Sequence, residues 1–315
     1  MKASEFQSFP AKILLFGEYS IILGGQALTL PLHSFSAQLA FSARPGQETS
    51  AAASNKAIKE FLTYLHTCKD EGTLLMEMDL KALEKDLDKG LFLQSDIPSG
   101  YGAGSSGALV AAVFEAYSLK KTEKVSIPSS DILDLLRRHL SVMESYFHGN
   151  SSGLDPLTCL FGRSLRVDGN KGISAVDQPL FSPDFSKTAF LIDSGRAGTT
   201  RPLVEWFRQQ LAEDLLDSEL MIALNNQTIQ TLLTQNFYLF DHFLSQLSMF
   251  QLENMRPMVP ERIRPLWQEG LENGQWTLKI CGSGGGGFVL GFAEDIQSAQ
   301  KVFNDQGFTT LVPWS

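Results

Sequence analysis

The sequence predicts a mixed α and β chain folded in two domains, and three observations predict it. At 315 residues the chain is longer than a single hydrophobic core usually serves. Apolar residues form short runs towards both ends and recur at helical spacing between them. A polar stretch containing Pro183, Ser182–Ser186, interrupts the pattern, and the boundary is expected there, giving domains 1–184 and 185–315.

The elements follow in order. Lys12–Phe16 is a short apolar run and reads as a strand. Gly24-Gly25 reads as a hairpin turn between Ser20–Leu23 and Gln26–Leu30. Ala43–Ser54, polar or small throughout, reads as a loop, and Lys56–Leu65 and Leu80–Leu91 read as helices. Phe92–Asp96 is a short segment before a glycine-rich stretch, Ile97–Gly107. Ala108–Leu119 is apolar almost all round, which predicts a helix buried on most sides. Ser130–Phe147 predicts another, with Ile132, Leu136, Leu140, Met143 and Phe147 in one stripe and Asp131 placed to serve its N-terminus.

Leu165–Val167 and Ile173–Val176 read as strands around an Asp168-Gly169 turn. Past the expected boundary come a strand, Ala189–Asp193, and a long region of helix formers, Arg201–Met255. Within it Phe237, Tyr238, Phe240 and Phe243 read as core at helical spacing. The end reads strand (Trp276–Cys281), glycine loop, strand (Phe288–Phe292), helix (Glu294–Phe303), strand (Thr309–Val312).

Composition narrows the class. With 43% hydrophobic and 19% charged residues, disorder and coiled coil are excluded. A net charge of −9 argues against nucleic-acid or anionic-membrane partners, though a local basic pocket can still hold a phosphate. Cys68, Cys159 and Cys281 form no CxxC pair, so they read as buried or incidental thiols rather than a disulfide framework or zinc knuckle. The histidines show no metal-ligand spacing. No apolar run approaches the roughly 18 residues a membrane span needs. The apolar core of the start, Ile13–Phe16, is too short for a secretion signal, and a cytoplasmic protein is expected.

Pro98–Gly107 (PSGYGAGSSG) opens directly into the buried helix. Glycines allow close backbone approach, and a helix N-terminus offers unpaired N–H groups and partial positive charge, so the pair suits a phosphate. Ser105 and Ser106 add hydroxyls, one of which could reach a phosphate-bound Mg²⁺. No Lys-Ser or Lys-Thr follows Gly104, so this is not a P-loop. Without a leading apolar strand or a following ribose acid it is not a dinucleotide fingerprint either. Alone, it reads equally as a turn before a core helix.

It does not stand alone. Pro10–Tyr19 (PAKILLFGEY), Pro98–Gly107 and Lys279–Phe288 (KICGSGGGGF) resemble, in order, the three motifs of the GHMP kinase superfamily. Within it the mevalonate kinase family is the closest pattern. His148–Asp155 (HGNSSGLD) resembles its catalytic-aspartate segment, Asp193–Val204 its substrate-side loop, and Gly284–Gly287 its glycine run. Tyr19 departs from the usual His, and Gly-Glu-Tyr also occurs in phosphomevalonate kinases. Gly107, Ser283 and Phe288 replace a common Ala, Ala and Cys, changes of packing rather than chemistry.

The resemblance implies a two-domain α+β fold, with a ribosomal-protein-S5-like N-terminal domain and a ferredoxin-like C-terminal domain. It implies ATP- and Mg²⁺-dependent phosphorylation of a small alcohol, mevalonate first, in isoprenoid precursor synthesis. Phosphomevalonate or another small-molecule acceptor is the alternative, with Arg196 and Arg201 as the extra cations phosphomevalonate would need. A non-catalytic ligand sensor on the same fold is the remaining reading.

Residue by residue, the resemblance makes Asp155 the group that accepts the acceptor hydroxyl's proton or holds that hydroxyl in line, with Lys12 paired to it. Pro98, Gly100, Gly102, Gly104, Ser105, Ser106 and Gly107 would meet the nucleotide phosphates, as would Gly284 and Gly285 of the third motif, which either lie against the phosphates or close over the second loop. Ser106 and Glu144 would ligate Mg²⁺, and Glu18 and Thr200 would contact the substrate. Unaided by the resemblance, Lys12 reads as an edge lysine and Glu144 as a half-exposed stripe-edge carboxylate. Asp155 then reads as a turn or cap, and His148 as a cap or packed ring. A small-molecule substrate, no nucleic acid and no membrane are the expected partners, with a homodimer open.

Overall fold

The structure is a computed structural model and describes residues 6–120, 129–169, 172–177, 180–181 and 185–314. The polar stretch at 182–186 therefore lies largely outside the described residues. Two antiparallel sheets organise the chain. In the first, β1 (Ser8–Phe16) pairs along β2 (Ala27–Ala40), and β2 pairs in turn with β3 (Phe92–Ser95) and β4 (Leu165–Val167). β5 (Ile173–Ala175) completes it beside β4. Helices α1 (Glu48–Asp70), α2 (Leu80–Asp88), α3 (Ser105–Tyr117), α4 (Ser130–His148) and α5 (Leu154–Phe161) belong to this half.

In the second sheet β6 (Thr188–Asp193) lies between β8 (Phe288–Ala293) and β9 (Thr309–Leu311), and β7 (Trp276–Ile280) flanks β8. Its helices are α6 (Thr200–Ala212), α7 (Ser218–Leu233), α8 (Phe237–Asn254), α9 (Arg264–Asn273) and α10 (Ile296–Asp305). The region rich in helix formers thus divides into α6, α7 and α8. Among the described residues no helix is long and apolar enough to cross a membrane.

Helix α3 sits at the centre. Nine of its residues, Gly107 to Phe114 and Tyr117, are buried, as an all-round apolar sequence demands. It packs on β1 and β2 and against α5 and α4. The halves meet where α7 reaches the turn before β2: Asn225 donates to the Gln26 carbonyl at 2.9 Å, and the Gln26 N–H donates to Asn226 at 2.9 Å. All three cysteines are buried.

Several expectations are corrected. Ser20–Leu23 is not a strand but one 3-10 turn, closed by Tyr19 at φ 62° and Gly24 at φ 82°. The hairpin is real but wider: β1 pairs directly with β2, Phe16 opposite Leu28. Within Ala43–Ser54, helix α1 already begins at Glu48, because Ser54 and Asn55 are recruited as partners by neighbouring backbone. Ser54 Oγ accepts from the Leu93 N–H at 2.9 Å, and Asn55 Nδ2 donates to the Leu87 and Leu91 carbonyls at 2.9 and 2.7 Å. Helix α2 stops at Asp88, before Gly90 at φ 91°. Asp131 lies in the first turn of α4, where its charge suits the helix N-terminus, and the N-cap position itself is Ser129. Tyr238 is 84% exposed while Phe240 is fully buried, so the aromatic group is split across two faces of α8.

Candidate active site

The first motif and the glycine loop are tied by backbone: the Lys12 N–H in β1 donates to the Ala103 carbonyl at 3.0 Å. This brings the Lys12 stem against Gly104, the residue before α3. Gly104 holds φ 74°, and a Cβ there would come within 2.8 Å of two carbons of the lysine chain. A side chain at 104 would fill the slot the lysine occupies.

Lys12 is 3% exposed, and its Nζ meets Asp155 Oδ2 at 2.7 Å. Asp155 sits in the first turn of α5, whose start is set by Gly153 in the left-handed conformation. Burial alone lowers the Lys12 pKa, but the Asp155 charge and hydrogen bond outweigh it and raise the ammonium above its ordinary value.

Glu144, on α4, is 2% exposed. Its Oε1 accepts from Ser106 Oγ at 3.3 Å, and Ser151 Oγ donates to its Oε2. Burial first, then the Asp155 charge, push its carboxyl up to about 8, against the pull of Ser151, Lys12 and Ser106. Ser106 also shares a 2.9 Å hydrogen bond with His148 Nε2, and burial holds that imidazole below its usual range.

These groups line one cavity of about 300 Å³. Pro98, Gly100, Gly102, Gly104, Ser105 and Ser106 form one wall, and Lys12, Glu144 and Asp155 the floor. Leu14, Ile21, Ile22 and Val204 supply apolar lining, with Glu18, Tyr19, Thr200 and Ser283 also in the lining. Lys12 is the one Lys or Arg lining it among the described residues, and Asp155 already pairs with it. Arg196 and Arg201 are exposed and line neither this cavity nor its neighbour. That neighbour, about 380 Å³, shares Ser105 and Ser106 and is walled by Phe92, Ile97, Leu109 and Phe147 with Gln47 and Gln94.

Three expected residues sit elsewhere than at an open wall. Gly107 is inside α3, packed on the backbone of Asp155 and Pro156. Gly284 and Gly285 lie behind the cavity against Met258 and Leu203, and Gly282 and Ser283 take the lining positions. The third loop does lie against the second: the Phe288 N–H donates to the Tyr101 carbonyl at 3.3 Å, and a 2.8 Å bond joins Gly198 N–H to the Gly100 carbonyl. Glu18, expected at the substrate, is turned to Lys279 at 2.7 Å. Thr200 opens α6, its Oγ1 3.2 Å from Ser283 Oγ.

Sequence reading assigns no site role to His148, read as a cap or packed ring, or to Ser151 and Lys279, which stand inside motifs of the resemblance. For Lys279 a signal existed: it is the single charge in the apolar run of β7, every residue of which is buried, and a buried ammonium demands a counter-charge. For His148 and Ser151 nothing local separates a cavity position from a turn.

Comparison with known proteins gives the family. The family model "GHMP kinases N terminal domain" matches residues 68–163 and "GHMP kinases C terminal" matches 228–305, between them more than half of the chain. A mevalonate kinase of Thermococcus gammatolerans is 22% identical, across 92% of this chain and 90% of that one. The crystal structure of L. major mevalonate kinase in complex with R-mevalonate superposes with a TM-score of 0.62 at 15% identity, covering 99% of this chain and 97% of that one. Streptococcus pneumoniae phosphomevalonate kinase in complex with phosphomevalonate and AMPPNP gives 0.59 at 18% identity, covering 97% and 98%. The chain belongs to the GHMP kinase superfamily and is a phosphotransferase that uses ATP.

Proposed function

We propose that this protein transfers the terminal phosphoryl group of ATP to the hydroxyl of mevalonate. The observation that carries the reading is the Lys12–Asp155 pair in a cavity lined by the glycine loop and by apolar residues. Phosphoryl transfer is mostly positioning and charge stabilisation, and each part has a candidate here. Backbone N–H groups of Gly102–Ser106 face the phosphates at the α3 N-terminus. The adjoining cavity, which shares Ser105 and Ser106 in its lining, has the apolar walls and amide rim a nucleoside needs.

Asp155 holds the acceptor hydroxyl in line and receives its proton, and Lys12 offsets charge at the attacking oxygen. The donor set fits Mg²⁺: Ser106 Oγ and Glu144 Oε1 are adjacent hard oxygens, and the buried Glu144 carboxylate is met by hydroxyls rather than by a cation of its own. Ser106 and Glu144 would hold the ion, which when bound neutralises phosphate charge. The apolar acceptor side favours an unphosphorylated alcohol over phosphomevalonate, since Arg196 and Arg201 stay outside the cavity. The same reading divides the chain at 184/185, one sheet to each side.

A coupled ADP-release assay across mevalonate, phosphomevalonate, galactose and homoserine tests this. ADP with mevalonate is expected. Turnover of phosphomevalonate alone moves the assignment to the second kinase, and nucleotide binding with no turnover of any acceptor leaves a ligand sensor.

A further inference from the structure

Two lysines are buried among the described residues, and only Lys12 lines the cavity and serves the transfer chemistry. The other, Lys279, is fully buried in β7 of the second sheet. Its Nζ meets Glu18 Oε1 at 2.7 Å, in the turn that follows β1 of the first sheet, and also donates to the Ile280 carbonyl at 2.5 Å. The ammonium lies 5.3 Å from the centre of the Phe16 ring. Burial raises the Glu18 carboxyl above its usual range, against the pull of Lys279 first and of the Glu18 and Gly282 backbone N–H groups after it. A buried charge is costly unless paired, so the two side chains hold each other in place across the sheets.

Glu18 sits inside an unusual turn. Gly17 has φ 119°, and Tyr19 has φ 62°, a conformation a bulky residue keeps only when its surroundings impose it. The Tyr19 ring lies 4.7 Å from that of Phe207, and its hydroxyl donates to the Ser283 carbonyl at 2.7 Å. Ser283 Oγ in turn reaches Thr200 Oγ1, and Tyr19, Ser283 and Thr200 all line the cavity. An unbroken run of contacts therefore leads from Lys279 to the wall an acceptor would touch.

We propose that Lys279 and Glu18 are positioning residues: their ion pair draws the Gly282–Ser283 turn onto the Gly17–Tyr19 turn and so fixes the acceptor wall of the cavity. Neither side chain touches the reacting atoms. The inference rests on reading this wall as the acceptor's, and the first readout below is independent of that reading.

The full-length wild type is compared with E18Q, K279M and E18Q/K279M by hydrogen exchange over residues 281–287 and by steady-state kinetics with mevalonate. K279M alone leaves a buried carboxylate unpaired and is expected to lose stability, whereas the double variant removes both charges and is expected to retain it. In E18Q and in the double variant, exchange over 281–287 becomes about tenfold faster, the scale of one lost charge-assisted hydrogen bond. The acceptor KM rises about tenfold while the nucleotide KM stays within about twofold of wild type, a split that general loosening does not produce. Wild-type behaviour in either arm, in variants that remain folded, overturns the proposal. If the wild type does not turn over mevalonate, the acceptor assignment fails by itself. Exchange then decides alone: faster exchange keeps the clasp, and unchanged exchange removes it.

Discussion

Ser106 carries more contacts than its size suggests. Its hydroxyl meets Glu144 on one side and His148 on the other, at the edge shared by both cavities. Removing it takes away one hard oxygen and leaves Glu144 with Ser151. S106A is expected to raise the Mg²⁺ concentration for half-maximal rate about tenfold or more, with the acceptor KM little changed. A magnesium titration at saturating substrates checks this, and an unaltered curve counts against metal ligation. A different buried histidine reports on stability. His139 accepts from the Met76 N–H at 3.2 Å, its Nε2 has no partner among the described residues, and burial pushes its pKa down to about 4. The unfolded chain therefore takes up the proton first as pH falls. Stability from this group is complete above about 6.5 and is lost as pH drops towards 4, by about 3 kcal/mol in all. Denaturant unfolding at pH 7 and pH 4.5 checks it, with H139Q expected to flatten the difference.

Helix α3 and helix α5 place the two ends of the chemistry, and their closeness depends on Gly107. A Cβ there would stand 2.9 Å from the Asp155 carbonyl carbon and the Pro156 nitrogen, backbone atoms that cannot swing aside. G107A is expected to cost about 1–3 kcal/mol, as overpacking does, and to lower kcat by displacing Asp155. Thermal unfolding and steady-state rates check both, and a variant with wild-type stability would falsify the claim that this contact is tight. The elements themselves were legible to different degrees. Helix α3 was plain because no polar face interrupts it, and the final strand–loop–strand–helix–strand was plain because each run is bounded by glycine or charge. The start of α1 was not, because Ser54 and Asn55 find their partners 39 and 32 residues away in β3 and at the end of α2. Nor was the 3-10 turn at Ser20–Leu23, where Tyr19 takes a backbone conformation that composition does not announce.

Across the whole molecule, the glycine loop of the first half meets the loops around Gly198 and Gly287 of the second, and residues of these loops line the cavity. The residues of the floor were legible only through family resemblance. By themselves Lys12, Glu144 and Asp155 read as an edge cation, a stripe-edge acid and a turn residue, and folding brings them to one place. The same distance hid the Lys279–Glu18 pair, whose members are 261 residues apart and belong to opposite sheets. Gly284 and Gly285, which the resemblance places at the phosphates, do not line the cavity, whereas Gly282 and Ser283 do. The central claim is that phosphoryl transfer occurs at the Lys12–Asp155 pair. It is tested most directly by single-turnover phosphorus NMR with ATP, Mg²⁺ and mevalonate, comparing wild type with D155N. The account predicts a new phosphomonoester signal with wild type and, for D155N, a rate lower by about a hundredfold or more with nucleotide affinity retained. Wild-type product formation by D155N would contradict it.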